Sequence, residues 1–253
     1  MERWIGKVAI VTGASSGIGV AVAERLVDEG MMVVGLARRV DKMEELARTL
    51  ANRRGSFHPI RCDVSIKQDI LDAFQTVKET LGPIHVLVNN AGIARVTHTL
   101  CSGDSEAWNE TFLVNVLGLC ICTREAIQNM IENEVDGHII HMNSVLGHSV
   151  PKNLLLSLYP ATKSAVKTLA ECLRVEFNAM KSKIKITNLS PGIVATEIFE
   201  TSGVSAETLQ EVMGGEVPAL DVKDIADGVA YVLSTPPNVL VTELTIRPLH
   251  EKI

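Results

Sequence analysis

Lys7-Val8-Ala9-Ile10-Val11-Thr12-Gly13-Ala14-Ser15-Ser16-Gly17-Ile18-Gly19 decides the fold of this 253-residue chain. Its first six residues form an apolar run rich in β-branched side chains, the pattern of a strand covered on both faces. A glycine-rich turn follows, and an apolar helical pattern over 17–29 follows the turn. Glycines in such a turn permit a tight bend and close approach of the backbone. The start of the helix then offers unpaired N–H groups to a pyrophosphate. Gly13, Ser15, Ser16, Gly17, Ile18 and Gly19 are therefore predicted to cradle phosphate, against the plainer alternative of a turn that merely joins strand to helix.

Outward from this unit, strand and helix patterns alternate to the end of the chain. Strands are predicted at 32–37, in a run ending at 61–64, and at 84–88, 138–142, 185–190 and 239–246. Helices are predicted at 41–52, 65–81, 105–132, 157–180 and 221–233. This alternation predicts one α/β domain over 1–253, with a parallel sheet covered by helices on both faces. A hydrophobic content of 46% suffices for a full core, and no linker or repeat divides the chain.

The formal net charge of −6, with no cluster larger than the pairs Arg38-Arg39 and Arg53-Arg54, argues against a nucleic-acid partner. The apolar run 112–122 is too short for a bilayer span and reads as a buried helix. The first residues lack a secretory signal pattern, so a cytoplasmic location is expected, and the triplets at Asn109 and Asn188 are not read as glycosylation sites. Five cysteines without zinc-like spacing fit reduced thiols, and no metal is expected.

Tyr159 and Lys163 are four residues apart, so on a helix they share a face one turn apart. Pro160 places the pair at the helix start, where its missing N–H has no intrahelical partner. A phenol near its ordinary value of ~10 shuttles protons poorly at neutral pH. Lowering it by about three pH units takes about 4 kcal/mol, part of which a neighbouring ammonium can supply. Such spacing also arises on solvated helix faces, so the pair gains meaning only beside a cofactor site. Ser144 follows the strand at 138–142 and is either a turn residue or a hydroxyl delivered to the same place. Asn115 is polar inside an apolar run and needs partners.

At the end of the second strand, where an acid would accept from a free ribose 2′-hydroxyl, the residues are Ala37-Arg38-Arg39. Arg38 is the candidate clamp for a 2′-phosphate, with Arg39 beside it, and the alternative is a solvated arginine.

The spacing Thr-Gly-x-x-x-Gly-x-Gly at 12–19, followed in order by Asn89-Asn90-Ala91-Gly92, Ser144 and Tyr159-x-x-x-Lys163, resembles the short-chain dehydrogenase/reductase family over essentially the whole chain. The resemblance implies a single-domain Rossmann fold, a doubly wound parallel seven-stranded sheet in the order 3-2-1-4-5-6-7. It implies NADP(H), with Arg38 and Arg39 at the 2′-phosphate and Asp63 and Val64 at the adenine. Asn90, Ala91 and Gly92 would lie under the cofactor, and Pro191, Gly192, Val194 and Thr196 would meet the nicotinamide carboxamide and the phosphates. Tyr159 would exchange a proton with the substrate oxygen while Ser144 holds that oxygen. Lys163 would lower the tyrosine pKa and bind the nicotinamide ribose, and Asn115 would hold a water relay behind it. Asp63 has an alternative as the cap of the following helix.

The segments 143–148 and 242–248 are similar to the insect farnesol dehydrogenase branch, which implies oxidation of an isoprenoid alcohol with NADP. A hydroxysteroid dehydrogenase or general carbonyl reductase is the alternative, and a dinucleotide-sensing scaffold is the non-enzyme reading. The intact set of Ser144, Tyr159, Lys163 and Asn115 speaks against the last. Residues 193–220 mix apolar side chains with glycines and read as a substrate lid or a plain surface helix. Leu154–Leu158 is core or substrate contact, and His141, Asn143 and His148 stay outside the catalytic set. A homodimer or homotetramer through the helices 105–132 and 157–180 is expected.

Overall fold

In the computed structural model, residues 1–95, 100–150, 158–198, 215 and 217–251 are described. Seven parallel strands form one sheet, ordered β3-β2-β1-β4-β5-β6-β7 as the family resemblance implies. They are β1 (Val8–Thr12), β2 (Met32–Ala37), β3 (Ser56–Arg61), β4 (Ile84–Asn89), β5 (His138–Met142), β6 (Lys185–Pro191) and β7 (Glu243–Ile246). The seven helices used below are α1 (Gly17–Asp28), α2 (Val40–Leu50), α3 (Lys67–Thr80), α4 (Ser105–Phe112), α5 (Leu119–Glu132), α6 (Leu158–Ala179) and α7 (Val222–Ser234).

Successive strand residues point to opposite faces, so a sheet covered on both sides needs apolar residues at every position. Ala9 and Val11 of β1 pack with Val22 and Leu26 of α1, Met43 of α2 and Val229 of α7. Val8 and Ile10 pack on the other face with Phe74 of α3, Met130 of α5 and Phe177 of α6. β1 lies between β2 and β4 in register, Ile10 facing Val34 on one side and Leu87 on the other. The chain therefore reverses direction of build at β1, which opens a crevice at the carboxyl ends of β1 and β4.

Three expectations are corrected. The helix predicted over 105–132 is α4 and α5 joined by a π-helical turn, Leu113–Gly118. Nor is the stretch 112–122 buried throughout, since Phe112 is 39% and Leu117 51% exposed while Asn115 is buried. One face of this segment packs on the domain and the other remains open.

The last strand is also shorter than 239–246, because the carbonyls preceding it are taken by side chains. Lys185 Nζ donates to the carbonyls of Pro236 and Val239, and Thr187 Oγ1 donates to that of Val241 at 2.7 Å. Pairing with β6 begins only at Asn188 and Glu243. Among the described residues, no helix is long and apolar enough to cross a membrane.

Candidate active site

One cavity of about 390 Å³ runs across the carboxyl ends of the strands. It begins at Arg38 and Arg39 after β2 and passes the turn Gly13–Ile18 and the loop Asn90–Gly92. It ends among Ser144, Tyr159, Lys163 and the segment Pro191–Val194, while Thr196 lies back against Gly17.

The middle of the cavity is built for close approach. Gly13 has φ +70°, and a Cβ on Gly19 would lie 2.2 Å from the Gly13 carbonyl oxygen and 2.7 Å from Asn90 Nδ2. Only hydrogen fits at position 19, so α1 can begin directly against the turn. Ser16 provides no side-chain cap to α1, which leaves the first amides of the helix to an anion.

Asn90 acts as a staple between the two loops. Its Nδ2 donates to the Thr12 carbonyl at 2.9 Å, while Thr12 Oγ1 accepts from the backbone N–H groups of Asn90 and Ala91 at 3.0 Å each. Thr12, outside the sequence-derived site set, is thus the residue that registers the β4 loop against the β1 loop.

At the far end, Asp63 both lines the cavity and organises its own turn. Its Oδ1 accepts from the Ser65 amide at 2.9 Å and the Ser65 hydroxyl at 2.7 Å. Val64 lines the same wall. The Arg38 side chain is exposed and has no hydrogen bond or ion pair among the described residues, whereas that of Arg39 is engaged. Arg39 Nε donates to Ser15 Oγ at 3.3 Å, and its Nη1 lies 3.2 Å from Glu197, a carboxylate also 3.7 Å from Lys42 Nζ. The two arginines differ in availability.

At the other end, α6 brings Tyr159 and Lys163 together, with Lys163 Nζ 5.5 Å from the phenol ring centroid. Lys163 is buried and donates to the Met142 carbonyl at 2.7 Å. Loss of solvent pulls its pKa down from 10.5 to about 8. Loss of solvent pushes the Tyr159 phenol up to about 12, against the opposing effect of its hydrogen bond with Ser144. In the protein without coenzyme, desolvation outweighs the hydrogen bond from Ser144, and the phenol lies above its ordinary value.

Ser144 combines the two alternatives left open for it. Its Oγ accepts from the Leu146 N–H at 3.1 Å, capping the short turn Val145–Gly147, and it still reaches Tyr159. Accepting that bond leaves the hydroxyl proton available to donate.

Asn115 lies behind the cavity wall. Its Oδ1 accepts from the Ile93 N–H at 2.8 Å, and its Nδ2 donates to the Ile93 carbonyl at 2.8 Å and to Thr162 Oγ1 at 3.1 Å. Both amide protons are used to tie the π-helical turn to the Asn90–Ile93 loop and to α6.

Of the three residues held outside the catalytic set, Asn143 lines the cavity. It is buried, and both its side-chain polar atoms lack a hydrogen-bond partner among the described residues. Its signal was its place directly before Ser144, where the strand ends and alternation no longer fixes direction. A Cβ on Gly147 would lie 2.7 Å from Asn143 Oδ1, so the turn after Ser144 packs on this amide.

His141 is buried, 3.2 Å from Thr123 Oγ1, and burial with the nearby Lys163 charge pulls it down to about 3. It is a neutral core group. His148 pairs with Ser190 Oγ at 2.9 Å and with Glu243 at 3.3 Å, and it does not line the cavity. Leu158, Ile193 and Ile198 are described, but 151–157 and most of the expected lid, 199–214, lie outside the described residues.

A sequence model described as short chain dehydrogenase matches residues 7–205. Farnesol dehydrogenase of Aedes aegypti is 45% identical over 253 residues, covering 100% of both chains. Dehydrogenase/reductase SDR family member 11 of Mus musculus is 44% identical over 259 residues, covering 99% of this chain and 97% of that one. Among solved structures, an alcohol dehydrogenase from the archaeon Thermococcus sibiricus complexed with 5-hydroxy-NADP superposes with a TM-score of 0.84. It is 25% identical, with 98% of each chain covered.

Proposed function

This chain belongs to the short chain dehydrogenase family and is an oxidoreductase of that kind, and from that premise we propose that it uses NADP(H) to interconvert a lipophilic alcohol and its carbonyl compound. An isoprenoid alcohol of the farnesol class is the substrate proposed first. The observation that carries this reading is the single cavity with Arg38 at one end and Ser144, Tyr159 and Lys163 at the other. The 45% identity to a farnesol dehydrogenase along the whole chain, and the similarity to an alcohol dehydrogenase complexed with an NADP derivative, support it.

The residues present fit an elongated dinucleotide. Arg38 is placed to bind a 2′-phosphate, Asp63 and Val64 to flank the adenine, and the uncapped start of α1 to receive the pyrophosphate. Pro191, Gly192 and Val194 line the wall that follows β6, and Thr196 lies against Gly17 at the phosphate turn. When bound, the nicotinamide supplies the site from which hydride leaves or to which it returns.

The remaining chemistry belongs to the chain. Tyr159 transfers a proton to the substrate oxygen in reduction and removes it in oxidation, while the Ser144 hydroxyl holds that oxygen. Lys163, mostly charged at neutral pH with its pKa of about 8, places positive charge beside the phenol. Asn115 fixes the loop and helix that frame this end and, in this reading, supports proton exchange through water.

The cavity lining includes Val114, Val145, Leu146, Ile193 and Ile198 beside the polar groups already named and Arg95, and these apolar side chains support an apolar substrate. An apolar pocket discriminates weakly by shape, so hydroxysteroids belong in the same test. We further propose a homodimer or homotetramer, supported by the exposed Leu117 and Ile131 on the α4–α5 unit and by the exposed Val175 and Met180 on and after α6.

The deciding experiment incubates purified protein with NADP or NAD and a panel of isoprenoid, steroid and simple secondary alcohols, following formation of reduced nicotinamide. Turnover with NADP and at least one lipophilic alcohol is the expected result. Dinucleotide binding without any turnover would favour a sensing scaffold instead.

A further inference from the structure

The segment after β7 folds back onto the wall of the cavity. Ile246 accepts from the Gly192 N–H at 2.7 Å, the chain turns with His250 at φ +67°, and the Glu251 N–H returns to the Pro248 carbonyl at 3.4 Å. Glu251 thereby arrives beneath the loop that follows β6. Its Oε1 accepts from the Ile193 N–H at 2.7 Å, and its Oε2 accepts from Arg247 Nε at 2.6 Å. The Glu251 side chain is 1% exposed, although its partner Arg247 is 40% exposed.

A carboxylate buried to that degree is costly unless its oxygens are satisfied, and here one of them is satisfied by the backbone of the cavity wall. Packing is equally close. A Cβ on Gly192 would lie 2.6 Å from each oxygen of this carboxylate. Because β6 neighbours β5, and the Asn143 N–H donates to Leu189 at 2.7 Å, the loop stands beside Ser144 at the reacting end of the cavity. Glu251 itself does not line the cavity.

We propose that Glu251 is a positioning residue: its buried carboxylate pins the Gly192–Ile193 backbone and so fixes the wall against which the reacting end of the bound dinucleotide rests. The inference rests on the dinucleotide-dependent function proposed above. It assigns to the segment after β7 a part in coenzyme placement, exerted through one backbone N–H.

The test uses the full chain with Glu251→Ala, Glu251→Gln and Arg247→Lys. Hydrogen exchange of the 190–198 segment is measured without coenzyme, and NADPH affinity is measured by fluorescence. Glutamine keeps an acceptor for Ile193, and Arg247→Lys keeps both the carboxylate and a cationic donor beside it, so both should stay within about threefold of wild type in exchange and affinity. Glu251→Ala loses the bond and should speed exchange and weaken NADPH about tenfold, the size of one net hydrogen bond to a charged group.

If alanine prevents folding, Glu251→Asp carries the same expectation, being one methylene too short to reach Ile193 without leaving Arg247. A folded alanine or aspartate variant with wild-type exchange and affinity would overturn the proposal. So would a glutamine variant as defective as alanine, since the ion pair rather than the backbone bond would then matter. Wild-type protein that binds no dinucleotide would overturn the functional reading, while the exchange comparison would still decide whether Glu251 pins the loop.

Discussion

Replacing Lys163 by methionine should destroy turnover and stabilise the protein near neutral pH. A pKa held at about 8, against an ordinary 10.5, means that the folded state disfavours the ammonium by roughly 3 kcal/mol. Methionine is similar in length and carries no charge to bury. The substitution also removes the bond to the Met142 carbonyl, a loss of about 1 kcal/mol net. The balance is a gain of roughly 2 kcal/mol at pH 7, or about 4–8 °C in Tm for a chain of this size.

The pH dependence makes the argument sharper. Between about pH 8 and 10.5 the unfolded chain holds more of the Lys163 proton than the folded one, so wild-type stability from this group rises with pH. The penalty is full below pH 8 and gone above 10.5. Tyr159, raised to about 12, acts in the opposite sense only above pH 10, and His141, lowered to about 3, does not titrate in this window. The advantage of the variant should therefore be greatest at pH 7 and shrink by pH 10, where the lost hydrogen bond remains. Urea midpoints for both proteins from pH 7 to 10, at one protein concentration, measure this. A variant less stable at pH 7, with the same pH dependence as wild type, would refute the account of Lys163 as a buried and destabilising charge.

Tyr159→Phe should lower kcat by about 10²–10⁴, the range for general acid–base catalysis, and leave NADPH affinity within about threefold. More than a tenth of wild-type activity would remove Tyr159 from its proposed role. Arg38→Asp should reduce the ratio of kcat/KM for NADP over NAD at least tenfold, since a charge-assisted bond typically worth about 1.5–3 kcal/mol is replaced by repulsion. Arg39, already engaged by Glu197 and Ser15, can blunt the change but not reverse it, and a wild type that prefers NAD would show Arg38 to be an ordinary surface arginine. Light scattering at micromolar protein should give a dimer or tetramer mass, which Leu117→Glu should lower, and a monomeric wild type would defeat the assembly proposed from the exposed faces of α5 and α6.

The fold was legible because its signals are local and repeated. The strands β1 and β2 are almost wholly apolar, β4 to β6 keep a buried apolar core between polar positions such as His141 and Asn188, and the helices carry apolar stripes, so β1 to β6 and all helices except the one over 105–132 fell within a few residues of their predicted spans. The failures have a different cause. The π-helical turn at Leu113–Gly118 places Asn115 so that it binds Ile93 and Thr162, contacts far away in sequence that no 3.6-residue period encodes. The shortened β7 depends on Lys185 and Thr187 occupying carbonyls more than 50 positions away.

The site shows the same division. Residue types and spacing pointed to Ser144, Tyr159, Lys163 and the glycine turn, which the structure gathers along one cavity. Thr12 and Glu251 act through backbone groups of other segments. Asn143 is set by the geometry at a strand end, and none of the three has a sequence pattern of its own.

The protein alone holds its phenol in the state least able to accept a proton, and this follows from the same burial that makes the site useful. Excluding water raises Tyr159 to about 12 and lowers Lys163 to about 8, so the two values approach each other from ordinary ones about half a unit apart and then cross. At neutral pH the pair therefore rests as neutral phenol and mostly charged amine, the arrangement suited to donating a proton in reduction. Removing a proton from an alcohol demands the opposite state, and Ser144 alone does not offset the desolvation of Tyr159. An added positive charge at the end of the cavity is the remaining means of stabilising the phenolate, and its effect is larger beside a desolvated phenol than in water. In the function proposed above, the direction of proton transfer is therefore coupled to the charge of the coenzyme ring, and the placement of the Gly192–Ile193 wall bears on the chemistry through that ring.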